Sequence, residues 1–105
     1  MMDYETVIRA IIEREARSIG DLALRKAGSL EGIRIDDDDG VTFTRAMDKD
    51  DVNAVIDAFR KFQGEGAVGI ARRAMDDILE PDDDIDLPEE IVPQRIKEKR
   101  FVKGI

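Results

Sequence analysis

Three stretches of this chain carry residue types whose spacing could do chemistry. The sharpest is Gly64-x-Gly66-x-x-Gly69, followed by a helical pattern. It has the form of a dinucleotide-binding loop, in which glycines let backbone amides approach a pyrophosphate at a helix start. That chemistry needs a strand before the loop and a parallel sheet around it. The residues before Gly64 have helical spacing instead, and too little chain remains for such a sheet. The run therefore reads as a turn between two helices, with close helix packing at Gly69.

The second stretch is the acidic run Asp36-Asp37-Asp38-Asp39-Gly40. Hard cations such as calcium take carboxylate oxygens. A calcium loop with Gly40 at its sixth position would begin at Ile35 and end at Ala46, so both end ligands are absent and the run reads as a solvated turn. Asp82-Asp83-Asp84 lacks even the glycine. No metal site is expected at either place.

The third stretch is basic. Arg95, Lys97, Lys99, Arg100 and Lys103, with Phe101 among them, could contact phosphates and stack a base. Arg72-Arg73 adds to this potential, but Asp76 and Asp77 follow within one turn. A net charge of -8, from 25 acidic and 17 basic residues, opposes nucleic-acid binding by the surface as a whole. A helix pair followed by a β-hairpin hints at a winged helix-turn-helix, but the second helix there should be basic, and Leu22-Ala23-Leu24-Arg25-Lys26-Ala27 carries two basic residues and ends almost at once. The wing would also press residues 36–39 against DNA phosphates, which argues against that fold.

The chain has no His and no Cys. Ser18, Ser29 and Thr42 thus lack the usual activating base, and thiolate nucleophiles, disulfides and thiolate metal sites are excluded. The carboxylates cluster in loops where water keeps their titration ordinary. The expectation is no enzyme and no cofactor.

These features must be positioned by one small domain, since 105 residues suffice for one and not for two. Apolar residues make up 42%, charged residues 40% and aromatics 5%, so the core is aliphatic. No apolar run is long enough to span a bilayer and the first residues are acidic rather than signal-like, so a cytoplasmic location is expected. Tyr4, Ile8, Ile11 or Ile12 and Ala16 recur at helical spacing and predict a helix over about 4–17. Ser18 and Asp21 resemble a capping box, and with Gly20 they predict a break near Ser18, then a second helix ending at Gly28. Alternating β-branched residues around an Asp-Gly predict a β-hairpin near 33–44. Asp48 or Asp50 caps a third helix whose apolar face is Val52, Val55, Ile56, Phe59 and Phe62 or Gln63, with Gly64 as its stop. A fourth carries Val68, Ile70 or Ala71, Ala74 or Met75, Ile78 and Leu79, and Pro81 ends it. Leu22–Ala27 resembles residues 69–74, which suggests two related helical pairs flanking the hairpin.

The predicted architecture is mainly α: a small helical bundle of about four helices with one inserted β-hairpin and an extended C-terminal segment. Residues 1–81 form the helical domain. Residues 82–105 form an acidic-then-basic segment, in which Pro88 and Pro93 break any continuous helix. That segment has too many large apolar residues for a solvated tail. It is expected to dock on its own domain or on a second chain, using Ile91, Val92, Ile96 and Phe101 with Arg95, Lys99 and Arg100. The function expected is a protein–protein interaction or regulatory module working as a homodimer or with a protein partner, without membrane association. The alternative is a nucleic-acid-associated protein using the basic C-terminal segment.

Overall fold

The computed structural model describes residues 2–103, with the side chains of Phe62 and of residues 100–103 outside that description. Helix α1 spans Tyr4–Ile19. It starts where the Asp3 carboxylate accepts the Thr6 N–H at 2.8 Å, which satisfies one of the donors every helix leaves unpaired at its start. The break after it falls at Gly20 rather than at Ser18, because Gly20 adopts φ +70. An L-residue pays steric energy there and glycine does not. Helix α2, Asp21–Gly28, follows directly with no side-chain cap, so the capping box read from Ser18 and Asp21 does not form.

Strands β1, Ile33–Ile35, and β2, Val41–Phe43, pair antiparallel with Ile33 opposite Phe43 and Ile35 opposite Val41. These four side chains share one face of the hairpin, and all four are buried or packed against the core. A lone two-stranded hairpin is marginal; this one lies on α2 and α1, where the Arg9 guanidinium stacks 5.2 Å above the Phe43 ring. The acidic run makes the turn: Asp39 takes φ +67, and the Asp38 carboxylate accepts the Gly40 N–H at 3.1 Å.

Helix α3, Lys49–Gln63, opens with a reciprocal capping box between Asp48 and Asp51. Arg45 adds a two-pronged pair to the Asp51 carboxylate at 2.8 and 2.9 Å. Helix α4, Gly66–Ile78, buries Ala67, Val68, Ala71, Ala74 and Met75. Between them Gly64, at φ +58, repeats the device of Gly20, and both glycines donate their N–H at 2.8 Å to the carbonyl four residues back.

Aligning Gly20 with Gly64 gives the register of the repeat. Ile8 pairs with Val52, Ile11 with Val55, Ile12 with Ile56, Ala23 with Ala67 and Ala27 with Ala71, and every one of these residues is buried. Residues 22–27 therefore correspond to 66–71 rather than to 69–74. A Cβ at Gly69 would meet nothing, so the close packing expected at that glycine is absent. In this register Glu15 occupies the position of Phe59.

The segment beyond Pro81 is extended only as far as residue 88. A 3-10 turn, Glu89–Ile91, and a fifth helix, α5 (Gln94–Lys103), follow, one helix more than the apolar spacing implies. Pro93 initiates α5 rather than preventing it: proline has no N–H to lose, and its carbonyl accepts the Ile96 and Lys97 amides. Ile85, Leu87, Ile91, Val92 and Ile96 join one core with residues of all four earlier helices and the hairpin.

The Asp51 cap should be visible in acid. Arg45 is the main cause that brings the Asp51 carboxyl down to about 2, with the Asp48 capping bonds adding and burial opposing. A carboxyl lowered from its ordinary 3.8 stabilises the fold above that value and loses the contribution as pH falls towards about 2. Asp51→Ala should cost about 0.5–2 kcal/mol at pH 7. The gap between variant and wild-type melting temperatures should close between about pH 4 and pH 2; a gap independent of pH would assign the loss to packing.

Candidate functional site

The residues expected to meet a partner divide into two groups. Ile91, Val92 and Ile96 are buried within this chain. Arg95 donates to the Asp76 carboxylate and to the carbonyl of Leu79 at 2.8 Å. Both prongs of Arg72 reach the Glu90 carbonyl, at 2.8 and 3.1 Å, and Arg60 holds the Glu90 carboxylate at 2.9 Å. Farther upstream, Tyr4 and Lys49 bind the carbonyl and carboxylate of Asp86. Lys99 is exposed, and the side chains of Arg100 and Phe101 lie outside the described residues. Between α4 and α5 a cleft of about 300 Å³ gathers Arg72, Arg73 and Arg95 with Asp76. Two of these guanidinium groups are already turned onto the chain's own acceptors.

A second surface lies between α2 and the hairpin. A groove of about 440 Å³ is lined by Leu24, Gly28, Ile33 and Ile35, with Asp21, Arg25, Arg34 and Asp39 around its rim. Close by on α2, Leu22 is 51% exposed, alone in this among the large apolar side chains described. The α2 periodicity contains Leu22, but only the position of α1 and the hairpin decides that Leu22 faces out while Ala23 and Ala27 face in.

The third place is inside. Glu15 on α1 is fully buried, and neither carboxylate oxygen has a hydrogen-bond partner. The Oε1 of Gln63, at the end of α3, is buried and unpartnered as well. Burial pushes the Glu15 carboxyl up to about 7, with the Gln63 amide acting in the opposite sense. A carboxyl removed from water favours its neutral form. The spacing could have found this residue, since Glu15 follows Ile11 by four and Ile8 by seven and so continues the apolar stripe. An acid there reads as the edge of that stripe until α3 is placed against it.

The acidic loops do local work. Asp36 accepts from Thr42 at 2.5 Å and from Arg34 at 3.3 Å, and the Asp83 carboxylate accepts the Glu80 N–H at 2.8 Å. Among the described residues no three acidic side chains converge as metal ligands, and no helix is long and apolar enough to cross a membrane. Gly64-Glu65-Gly66 follows a helix, not a strand. The chain matches no known protein family, and no curated protein or solved structure is significantly similar to it.

Proposed function

We propose that this chain is a non-catalytic protein–protein interaction module of the cytoplasm, which self-associates through the face formed by α2 and the hairpin. The observation carrying this reading is the exposed Leu22 on α2, the same helix that lines one wall of the groove with Leu24 and Gly28. Ile85, Leu87, Ile91, Val92 and Ile96 of the C-terminal segment are already inside their own chain's core, so none of these five is left to meet a partner. The rim of the groove is self-complementary: Asp21 and Asp39 stand with Arg25 and Arg34. A two-fold axis brings the same patch of both copies together, and a patch carrying both signs can pair arginine of one copy with aspartate of the other. Arg34 pairs with Asp36 through Nε, and its side chain is mostly exposed.

Light scattering over a concentration series tests this. The wild type should show twice the monomer mass at high concentration, and Leu22→Asp should return it to monomer with an unchanged circular dichroism spectrum. A wild type that stays monomeric to millimolar concentration would overturn the self-association. The nucleic-acid reading has in its favour the three arginines at the α4–α5 cleft. It predicts duplex DNA binding that falls steeply with salt and is untouched by Leu22→Asp.

A further inference from the structure

We propose that Glu15 and Gln63 form a buried proton-binding site at the seam of α1 and α3, so that the folded chain holds a proton there at neutral pH and the seam loosens when that proton leaves. Three acceptor oxygens stand buried in the described structure without a donor: both of Glu15 and Oε1 of Gln63. An unsatisfied buried polar atom is costly. A proton on Glu15 removes the negative charge and turns one oxygen into a donor. The acid hydroxyl can then give its hydrogen to Gln63 Oε1, and the Gln63 amide can give one of its own to the second carboxyl oxygen. One proton taken from solvent thus satisfies all three atoms. A hard metal ion asks for six or more oxygens, twice what these residues supply.

The repeat makes the position stand out. Its second copy carries Phe59 where the first has Glu15, and its first copy carries Ile19 where the second has Gln63. An apolar pair of positions in one combination is a polar pair in the other, at the same joint of the bundle.

No charged group on the elements packed against α1 supplies a counter-ion. On α3, Arg60 is engaged by Asp57, Glu65 and Glu90, its buried Nε lying 3.4 Å from Glu65, while Asp57 and Lys61 are exposed. On α2, Asp21 and Arg25 are exposed and Lys26 is half-buried; on α4, Arg72, Arg73, Asp76 and Asp77 are exposed. On α1 itself Arg14 pairs with Asp77, and Glu13 and Arg17 face solvent. The titration of Glu15 responds to burial and to Gln63 and to none of these charges.

The folded acid titrates at about 7, against an ordinary 4.5. A proton held more tightly by the folded state stabilises it fully below the ordinary value, and the benefit disappears as pH rises through the folded one. The chain has no histidine, so no imidazole overlaps the Glu15 titration. Carboxyl NMR of the full-length wild type should show one glutamate with a midpoint near 7. In denaturant titrations the folding constant should fall about thirtyfold from pH 5.5 to 8.5. Glu15→Gln, which keeps the shape and abolishes the titration, should lose that dependence. If that variant does not fold, Glu15→Leu should show the same loss of dependence while gaining most stability at pH 8.5. A Glu15 midpoint below 5, or an equal pH response in the wild type and in these variants, would overturn the proposal. So would a midpoint displaced downward by sodium, potassium or magnesium at constant ionic strength, which would make the site a metal site.

Discussion

Removing residues 88–105 should leave a chain with no cooperative thermal transition, or one whose stability is lower by more than about 5 kcal/mol. Ile91 and Ile96 are fully buried and Val92 nearly so, and truncating one buried isoleucine to alanine typically costs about 2–5 kcal/mol. Losing three such side chains exceeds what a domain with about 5–15 kcal/mol of total stability can spare. The ion pairs that accompany the segment add little, because Arg95, Asp76, Glu89 and Glu90 all keep substantial contact with water and exposed pairs contribute at most about 1 kcal/mol. The loss should therefore persist nearly unchanged in high salt, where surface pairs are screened. Ile96→Ala is the milder form, with about 2–5 kcal/mol expected from denaturant unfolding. A truncated chain that keeps its melting temperature would show that the segment detaches in solution. The surface available to partners would then include these isoleucines and not Leu22 alone.

Phe59→Ala should be the most damaging single truncation, at about 3–5 kcal/mol. Phe59 is 1% exposed and the largest of the fully buried side chains. The buried cluster it belongs to is otherwise built of Ile, Val, Leu, Ala and Met. Such an environment relaxes only partly around a void, so the cavity cost adds to the lost transfer energy. Equilibrium denaturation should show a lower midpoint at an unchanged slope. A loss under about 1 kcal/mol would mean that the site collapses and that the α1–α3 seam is soft. The repeat sharpens this expectation. Glu15 holds the corresponding place in α1, so the two halves of the bundle rest on one aromatic and one protonated acid, and only the second responds to pH.

Most of the elements are legible in the amino-acid sequence because their causes are local. Asp3 and Asp48 cap helices through their own carboxylates, Gly20 and Gly64 end them by adopting a positive φ, and the Asp-Gly pair turns the hairpin. These choices depend on a few neighbouring residues and would be made in almost any tertiary setting. The fifth helix was harder to see, since Pro93 is compatible both with ending an element and with starting one, and the choice rests on Ile96 finding a place in the core. The absence of histidine and cysteine, too, is decided by composition alone, and it restricts the chemistry open to the chain before any fold is known.

What the tertiary structure alone decided is which of several amphipathic faces each residue meets. Ile91, Val92 and Ile96 could have covered a second chain as well as their own; α4 and the helices around it settled that they turn inward. Leu22 and Ala23 are neighbours on one helix, and the placement of α1 and the hairpin put one in solvent and the other in the core. Glu15 is the clearest case. Its spacing sets it on the apolar stripe of α1, but a glutamate there keeps ordinary acidity unless another element removes its water. The end of α3 does so and brings Gln63 instead of a cation. Burial is a property of pairs of elements distant in sequence, and so are the neutral acid and its pH response.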